Sequence, residues 1–149
     1  MHLQALKLLK RLCAGVKSLN NSEAYKLHAK DALVAAAKLG IHEVIEEIVE
    51  SFPDLIWADA KSLNLFQIAV LERHVNVFNL IYQMGANQQL LIQMKDPSGN
   101  NLLHLAGKQS PRNKNNPVIG AALQMQRDRQ WFEVILCGVV LFAATYFLP

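Results

Sequence analysis

Apolar residues recur along the chain at spacings of three and four, which is the spacing of one face of an α-helix. The clearest stretches are Leu33–Ala37 followed by Val44–Ile48, and Phe66–Val70 followed by Val77–Ile81. Each of these pairs predicts two short helices, and neither helix of a pair is long enough to be stable alone in water. The pattern therefore predicts an all-α fold in which helix pairs bury their apolar faces against neighbouring pairs.

The two helix pairs form an internal repeat with a period of 33 residues, because Leu33–Ala37 aligns with Phe66–Val70 at that offset. A third copy begins at Leu103–Ala106, 37 residues after the second. We expect the four extra residues to lie in a loop near Gln88–Met94. A period of this size is typical of helical-repeat solenoids, in which each unit stacks on the next.

Small residues and turn residues mark the contacts and connections between the units. Ala36, Ala69 and Ala106 recur where neighbouring helices would approach closely. Gly85 indicates the end of a helix, since glycine adopts the left-handed backbone that ends many helices. Asp96–Asn100 combines Asp, Pro, Ser and Gly, and this composition predicts a turn in front of the third unit.

These positions resemble the ankyrin repeat, whose pattern is a turn with Asp and Gly, then Thr-Pro-Leu-His-x-Ala, a Gly and an apolar helix. The matching residues are Leu33, Ala36, Ala37 and Gly40 in the first unit, Phe66 and Ala69 in the second, and Asp96, Gly99, Leu103, His104 and Ala106 in the third. In the second unit Arg73 stands where Gly is usual. The resemblance implies that His104 is structural and bonds backbone groups in the turns between units.

A narrower resemblance is to plant ankyrin proteins of the PGG-domain (accelerated-cell-death-like) membrane group. It is carried by Gly99–Lys108, Gly120–Arg127, Phe52–Trp57 and Leu80–Tyr82. It implies protein binding near a membrane in plant stress or defence signalling. The group continues with a polar linker and several transmembrane helices, whereas this chain has sixteen uncharged residues after Glu133. We therefore expect a product truncated before the PGG membrane module.

The sequence predicts four regions. They are an N-terminal helical cap at 1–30, about three ankyrin repeats at 31–110 with the last incomplete, a basic linker or helix at 111–130, and a hydrophobic segment at 131–149. The cap region reads as a basic amphipathic helix. We expect it to cover the open end of the repeat stack, as terminal units must. The alternative is that it lies on an anionic membrane surface.

The hydrophobic segment leaves two interpretations open. As a helix, its uncharged part would span about 24 Å, against roughly 30 Å of hydrocarbon in a bilayer. One interpretation is a membrane anchor with the repeats in the cytosol, because Arg127, Arg129 and other cations precede the segment. The protein would then be membrane-associated, with the plasma membrane as a candidate, and otherwise cytoplasmic. The other interpretation is a buried helix that packs on the last repeat.

Charge and chemistry narrow the function. The net charge is +3, with basic ends around an acidic middle, and aromatic residues do not alternate with the cations as nucleic-acid binding requires. Cys13 and Cys137 form no CxxC motif, which fits a reducing compartment. His28, His42 and His74 match no metal-ligand spacing. The carboxylates at 43, 46, 47 and 50 read as a solvated helix face. We therefore expect no catalytic residues, metal or cofactor, and no nucleic-acid partner.

The predicted repeat stack and its resemblance to ankyrin repeats imply protein–protein interaction, with the membrane as a second partner through residues 131–149. The turn in front of the third unit is the segment we expect to contact a protein partner, through Lys95, Asp96, Ser98, Asn100 and Asn101. The alternative is a structural or regulatory subunit that oligomerises with longer ankyrin membrane relatives through its hydrophobic tail. Both homo- and hetero-oligomers are open on this reading.

Overall fold

The computed structural model describes residues 3–17, 22–60, 62–108 and 120–147. Its eight α-helices in those ranges are α1 (Leu3–Lys17), α2 (Ser22–Leu39), α3 (His42–Ser51), α4 (Leu65–Glu72), α5 (Val75–Asn79), α6 (Asn87–Gln93), α7 (Leu102–Ala106) and α8 (Ala121–Phe147). Two 3-10 helices cover Pro53–Trp57 and Leu80–Gln83. Strands β1 (Asp59–Ala60) and β2 (Leu63–Asn64) form a short antiparallel hairpin. The helical content confirms the all-α prediction.

The contacts between units lie where the alanines predicted them. Helix α4 packs against both α2 and α7, which are the first helices of the preceding and the following unit. Ala36, Ala69 and Ala106 are 4%, 0% and 1% exposed, so each is enclosed in this packing. Large side chains, led by Phe66 and Phe78, fill the core around them. The apolar faces are therefore buried between the units, as the repeat pattern predicts.

The backbone repeats as well as the sequence. Gly40 and Arg73, 33 residues apart, both have left-handed φ angles, of 76° and 65°. Ser62 and Gly99, 37 residues apart, do the same at 63° and 79°. Left-handed backbone is uncommon for residues other than glycine, so recurrence at these two offsets marks equivalent turns. The two offsets are those that the sequence alignment gives.

Equivalent helices also begin in the same way. Asn64 accepts a hydrogen bond from the Gln67 backbone N–H at 2.8 Å, and Gln67 Oε1 accepts one from the Asn64 N–H at 2.9 Å. Asn101 accepts from the His104 N–H at 3.1 Å, and His104 Nδ1 lies 3.4 Å from the Asn101 nitrogen. Both are capping boxes, which satisfy backbone groups that a helix start leaves without partners. His104 therefore has a structural role, within its own turn.

Helix α1 lies against the helices that follow it. It packs against α3 and α2, with Cys13 buried and a 3.5 Å ion pair between Lys10 and Glu47. Helix α2 begins at Ser22 and runs to Leu39, so the predicted boundary between residues 30 and 31 falls inside a helix. Residues 1–2 and 18–21 of the predicted cap lie outside the described residues.

Two local predictions have different outcomes. Gly85 follows the 3-10 helix at Leu80–Gln83 with a φ of 54°, which confirms it as a helix end. The predicted loop near Gln88–Met94 is wrong, because helix α6 occupies Asn87–Gln93. The physical reason is Leu91, which is 0% exposed and fixes this short turn of helix to the core. The extra residues of the third copy are therefore absorbed in and around a helix.

The C-terminal helix takes the place of the second helix of the third unit. Helix α8 packs on α7, with Trp131 and Ile135 buried at 9% and 0% exposure. One helix thus includes both the end of the predicted basic linker and most of the hydrophobic segment, so no boundary separates residues 130 and 131. Residues 109–119 and 148–149 lie outside the described ranges.

The second interpretation of residues 131–149 was a helix that packs on the last repeat. In the structure Trp131 and Ile135 of α8 are buried in such a contact. Gly138 adds to the contact, since a Cβ there would collide with Tyr82 Oη and lie 3.3 Å from Phe78. None of the helices within the described residues combines the length and apolar character needed to cross a bilayer.

A larger side chain at Ala69 should test the packing between units. We expect Ala69→Leu to lower the free energy of unfolding by about 1–3 kcal/mol, because the site is fully enclosed and overpacking forces neighbours to shift. Ala35→Leu, at an exposed position of α2, is the matched control and should change it by no more than about 0.5 kcal/mol. Urea denaturation measures both. Equal effects at the two positions would contradict the arrangement of α2, α4 and α7.

Candidate protein-interaction surface

The third-unit turn, Lys95–Asn101, is held by one carboxylate. Asp96 accepts hydrogen bonds from the Ser98 N–H at 2.9 Å, the Asn100 N–H at 2.8 Å and the Asn100 side-chain amide at 2.8 Å. Lys108 Nζ lies 3.8 Å from Asp96 Oδ2, the oxygen that also accepts from the Asn100 amide, and the Asp96 side chain is only 8% exposed. The Asn100 side chain first, and then these backbone groups and Lys108, lower the pKa of Asp96. The turn is therefore a fixed loop at neutral pH.

The five residues predicted to contact a partner divide into two groups. Lys95 and Ser98 are exposed, and their side chains are directed to the surface. Asp96, Asn100 and Asn101 are half-buried, because the first two bond to each other and Asn101 caps α7. The structure thus brings all five together in one turn. It assigns three of them to holding the turn and leaves two at its surface.

An apolar cleft that the sequence did not predict lies behind this turn. It has a volume of about 430 Å³ and is lined by Ile92, Gln93, Lys95, Asn101, Leu102, Leu103 and Val139. Its walls come from α6, α7 and α8, so it exists only once α8 has packed on the third unit. A cleft of this size, apolar inside and polar at the rim, can accept one or two apolar side chains of a peptide.

The residues predicted as repeat positions are found in the core or at its turns. Leu33, Ala36, Phe66, Ala69 and Ala106 are all buried. Leu103 is only half-buried, since it lines the cleft, and its neighbour Leu102 takes the core position at 1% exposure. Gly40 faces the His74 ring so closely that a Cβ would collide with it. His74 Nε2 in turn lies 2.9 Å from the Lys38 carbonyl oxygen, which links the first two units.

Arg73 joins the second unit to α8 through a set of contacts that we call the Arg73 cluster, comprising Arg73, Asp128 and Trp131. Arg73 Nη2 donates to Asp128 Oδ1 at 2.7 Å and to the Lys108 carbonyl at 3.1 Å. Its guanidinium lies 5.7 Å from the centre of the Trp131 ring, within the range of a cation–π contact. Burial lowers the pKa of Arg73, and the Asp128 carboxylate acts in the opposite direction.

Two unfavourable free-energy contributions oppose the contacts of the Arg73 cluster. Arg73 has a φ of 65°, a backbone conformation that costs a residue with a Cβ about 1–2 kcal/mol. In addition, Arg73 Nη1 and Trp131 Nε1 are buried without a hydrogen-bond partner among the described residues. Strained, imperfectly paired groups persist only where the surrounding structure fixes them. The contacts of Arg73 with α8 therefore stabilise a turn in which glycine would fit without strain.

The side chains that the sequence analysis weighed for metal binding or acid–base chemistry lie apart from one another in the described ranges. No group of three His, Cys, Asp or Glu side chains there is placed to hold a metal ion. His42 pairs with Glu43 at 3.4 Å, and His74 is used by the Lys38 carbonyl. Of the carboxylates on α3, Glu47 pairs with Lys10, whereas Glu46 and Glu50 are exposed.

Replacing Arg73 in two ways should separate its contacts from its strain. We expect Arg73→Ala to loosen α8 and lower the free energy of unfolding by about 1.5–3 kcal/mol, the range for hydrogen bonds to charged groups. Arg73→Gly removes the same contacts but relieves the left-handed backbone, so it should be about 1 kcal/mol less destabilising. Hydrogen exchange of residues 124–140 should rise in both variants. Identical stabilities for Ala and Gly at this position would argue against the φ of 65°.

Comparison of the chain with protein-family models, with curated proteins and with solved structures gave no match. The resemblance to plant ankyrin proteins of the PGG-domain group thus rests on the residues of this chain, and it stays a prediction. Any function must accordingly be argued from the geometry of the turn, the cleft and α8.

Proposed function

We propose that the chain is a non-catalytic protein–protein interaction module of the ankyrin type. The observation that carries the proposal is the repeated turn geometry, in which Ser62 and Gly99 share left-handed backbone and Asn64 and Asn101 share capping boxes. Stacked units of this kind present their turns side by side along one edge and so create an extended contact surface. A role in plant stress or defence signalling remains what the resemblance implies.

The third-unit turn has the properties that a contact segment needs. The Asp96 hydrogen bonds fix its backbone before any partner arrives, so little conformational entropy is lost on binding. Lys95 and Ser98 supply exposed polar groups, and Lys95 also lines the apolar cleft. A partner peptide can therefore place an apolar side chain in the cleft and form polar contacts at its rim.

Site-specific photo-crosslinking tests this surface. With a photoreactive residue at Ser98, we expect a discrete adduct in extracts of the source tissue, and Lys95→Glu in the same chain should reduce its yield several-fold because it reverses the rim charge. A photoreactive residue at Gln126, exposed on α8, is the matched control. Labelling that is equal at the two positions, or unaffected by Lys95→Glu, would count against the turn as the contact site.

The tail supports a second candidate, which is tethering to a membrane or assembly with longer relatives. Val134, Val140 and Leu141 are 46%, 54% and 65% exposed on α8, although Trp131 and Ile135 of the same helix are buried. One face of the helix packs on the repeats, and the other presents apolar groups to the solvent. Either a lipid surface or an apolar partner would cover these groups favourably.

Point substitutions test the tail better than its removal does, because deleting residues 134–149 would also remove the buried Ile135. We expect Val140→Ser with Leu141→Ser to shift the protein from the carbonate-resistant membrane fraction to the soluble one, if the tail is a tether. If it is an assembly surface, the same variant should instead convert a soluble oligomer to a smaller species. Leu123→Ser with Met125→Ser, also exposed on α8, is the control. If the protein is soluble and neither variant changes its oligomeric size, the result would contradict both the tether and the assembly surface.

A further inference from the structure

A second apolar cleft lies between α3 and the 3-10 helix at Leu80–Gln83. It has a volume of about 420 Å³ and is lined by Ile45, Glu46, Val49, Glu50, Ile56, Phe66, Leu80, Gln83 and Met84. Its floor is apolar, and its only charged lining residues are Glu46 and Glu50, both of them exposed. No cation of the described residues forms an ion pair with either carboxylate. We call this site the acidic cleft.

Helix α1 carries a face of the opposite charge. Leu8 and Leu12, one helical turn apart, are 59% and 57% exposed, which is unusual for two leucines on a helix that already buries Cys13. Lys7 and Arg11, also one turn apart and exposed, lie next to them on the helix surface. We call these four residues the basic face of α1. The opposite side of α1 packs on α3, so the basic face is directed away from the protein's own repeats.

The two surfaces match in spacing as well as in charge. Glu46 and Glu50 are four residues apart on α3 beside Ile45 and Val49, which have the same spacing. On an α-helix four residues rise about 6 Å, so the two carboxylates and the two cations have the same separation, and Ile45 and Val49 lie beside the carboxylates in the lining of the cleft. Two leucines can therefore enter the acidic cleft while both cations reach both carboxylates. Because the opposite charges on the two helices are spaced equally, they also favour one register of the contact between α1 and the cleft.

We propose that the acidic cleft binds the basic face of α1 from a second copy of this chain. The cis contact between α1 and α3 shows that these helices pack together, since Lys10 and Glu47 pair at 3.5 Å across it. In that contact Glu47 lies on the α1 side of α3, whereas Glu46 and Glu50 lie on the cleft side. In the assembly, α1 lies between its own α3 and the cleft of its neighbour.

The contact joins two different surfaces, so two copies can either make it reciprocally in a two-fold dimer or pass it on head to tail with one cleft and one basic face left free. In both arrangements the average size rises with protein concentration. The ion pairs at the rim are exposed, so salt weakens the association by screening them. This inference goes beyond the proposed function, because the third-unit turn and the tail take no part in it.

Complementary charge reversal tests the proposal. One variant is Glu46→Lys with Glu50→Lys, which makes the cleft basic, and the other is Lys7→Glu with Arg11→Glu, which makes the α1 face acidic. In sedimentation velocity over a concentration series at low salt, we expect the wild-type chain to associate and each variant alone to associate about ten-fold more weakly or worse. An equimolar mixture of the two should associate again, because both of its cross-contacts pair opposite charges.

Controls keep a folding defect apart from a lost contact. Asp31→Lys with Asp54→Lys changes the net charge by the same amount at exposed positions outside the cleft, and it should associate like the wild type. Circular dichroism of every variant should retain the helical signal. A wild-type chain that stays monomeric throughout the series would overturn the proposal, as would a mixture that fails to recover. Binding of the monomer to anionic vesicles through α1, without self-association, would overturn it in favour of a lipid surface. A monomer that still gives the Ser98 adduct would leave the proposed function standing while this inference fails.

Discussion

Close contact of helices α2, α4 and α7 through alanines is the constraint on which the rest of this structure depends. Helix α7 spans Leu102–Ala106 and α5 spans Val75–Asn79, and helices this short do not form in water by themselves. They persist because Ala36, Ala69 and Ala106 let their neighbours approach and bury the large side chains between units. The turns, the clefts and the packing site of α8 are positioned by these contacts, since none of them lies on an element that is stable alone.

Arg73 shows how a repeat position can be reused. At the equivalent place in the first unit, Gly40 has the same left-handed backbone and touches the His74 ring of the next unit. In the second unit a side chain is present, and its guanidinium binds Asp128 and lies on the ring of Trp131. The local strain is therefore offset by contacts that only a long charged side chain can make. A departure from the repeat pattern thus joins the second unit directly to α8, which also packs on α7 of the third unit.

Local signals account for what the sequence predicted, and distant contacts account for what it did not. The turn at Asp96–Asn100 and the helix end at Gly85 each depend on neighbouring residues, so composition and spacing were sufficient to predict them. Helix α6 was missed because the extra residues of the third copy were assigned to a loop, although the segment contains the apolar run Leu90–Ile92 and burial of Leu91 fixes it to the core. The cleft behind the turn was missed for a similar reason. One of its walls is Val139 of α8, which is distant in sequence from the other lining residues, so no local pattern brings them together.

The same distinction applies to charge. In the sequence the carboxylates of α3 form one acidic helix face. In the structure they differ in the groups that surround them. Glu47 pairs with Lys10 in the contact between α1 and α3, whereas Glu46 and Glu50 stand at the rim of an apolar cleft. A helix face that only contacts water would not require the apolar cleft beside Glu46 and Glu50. Likewise, a helix that only caps the repeats would not require the exposed Leu8 and Leu12. The chain has both an acidic cleft and a basic face of α1 with exposed leucines. These two surfaces have opposite charges, and within one copy they do not contact each other, so each is left for a second copy.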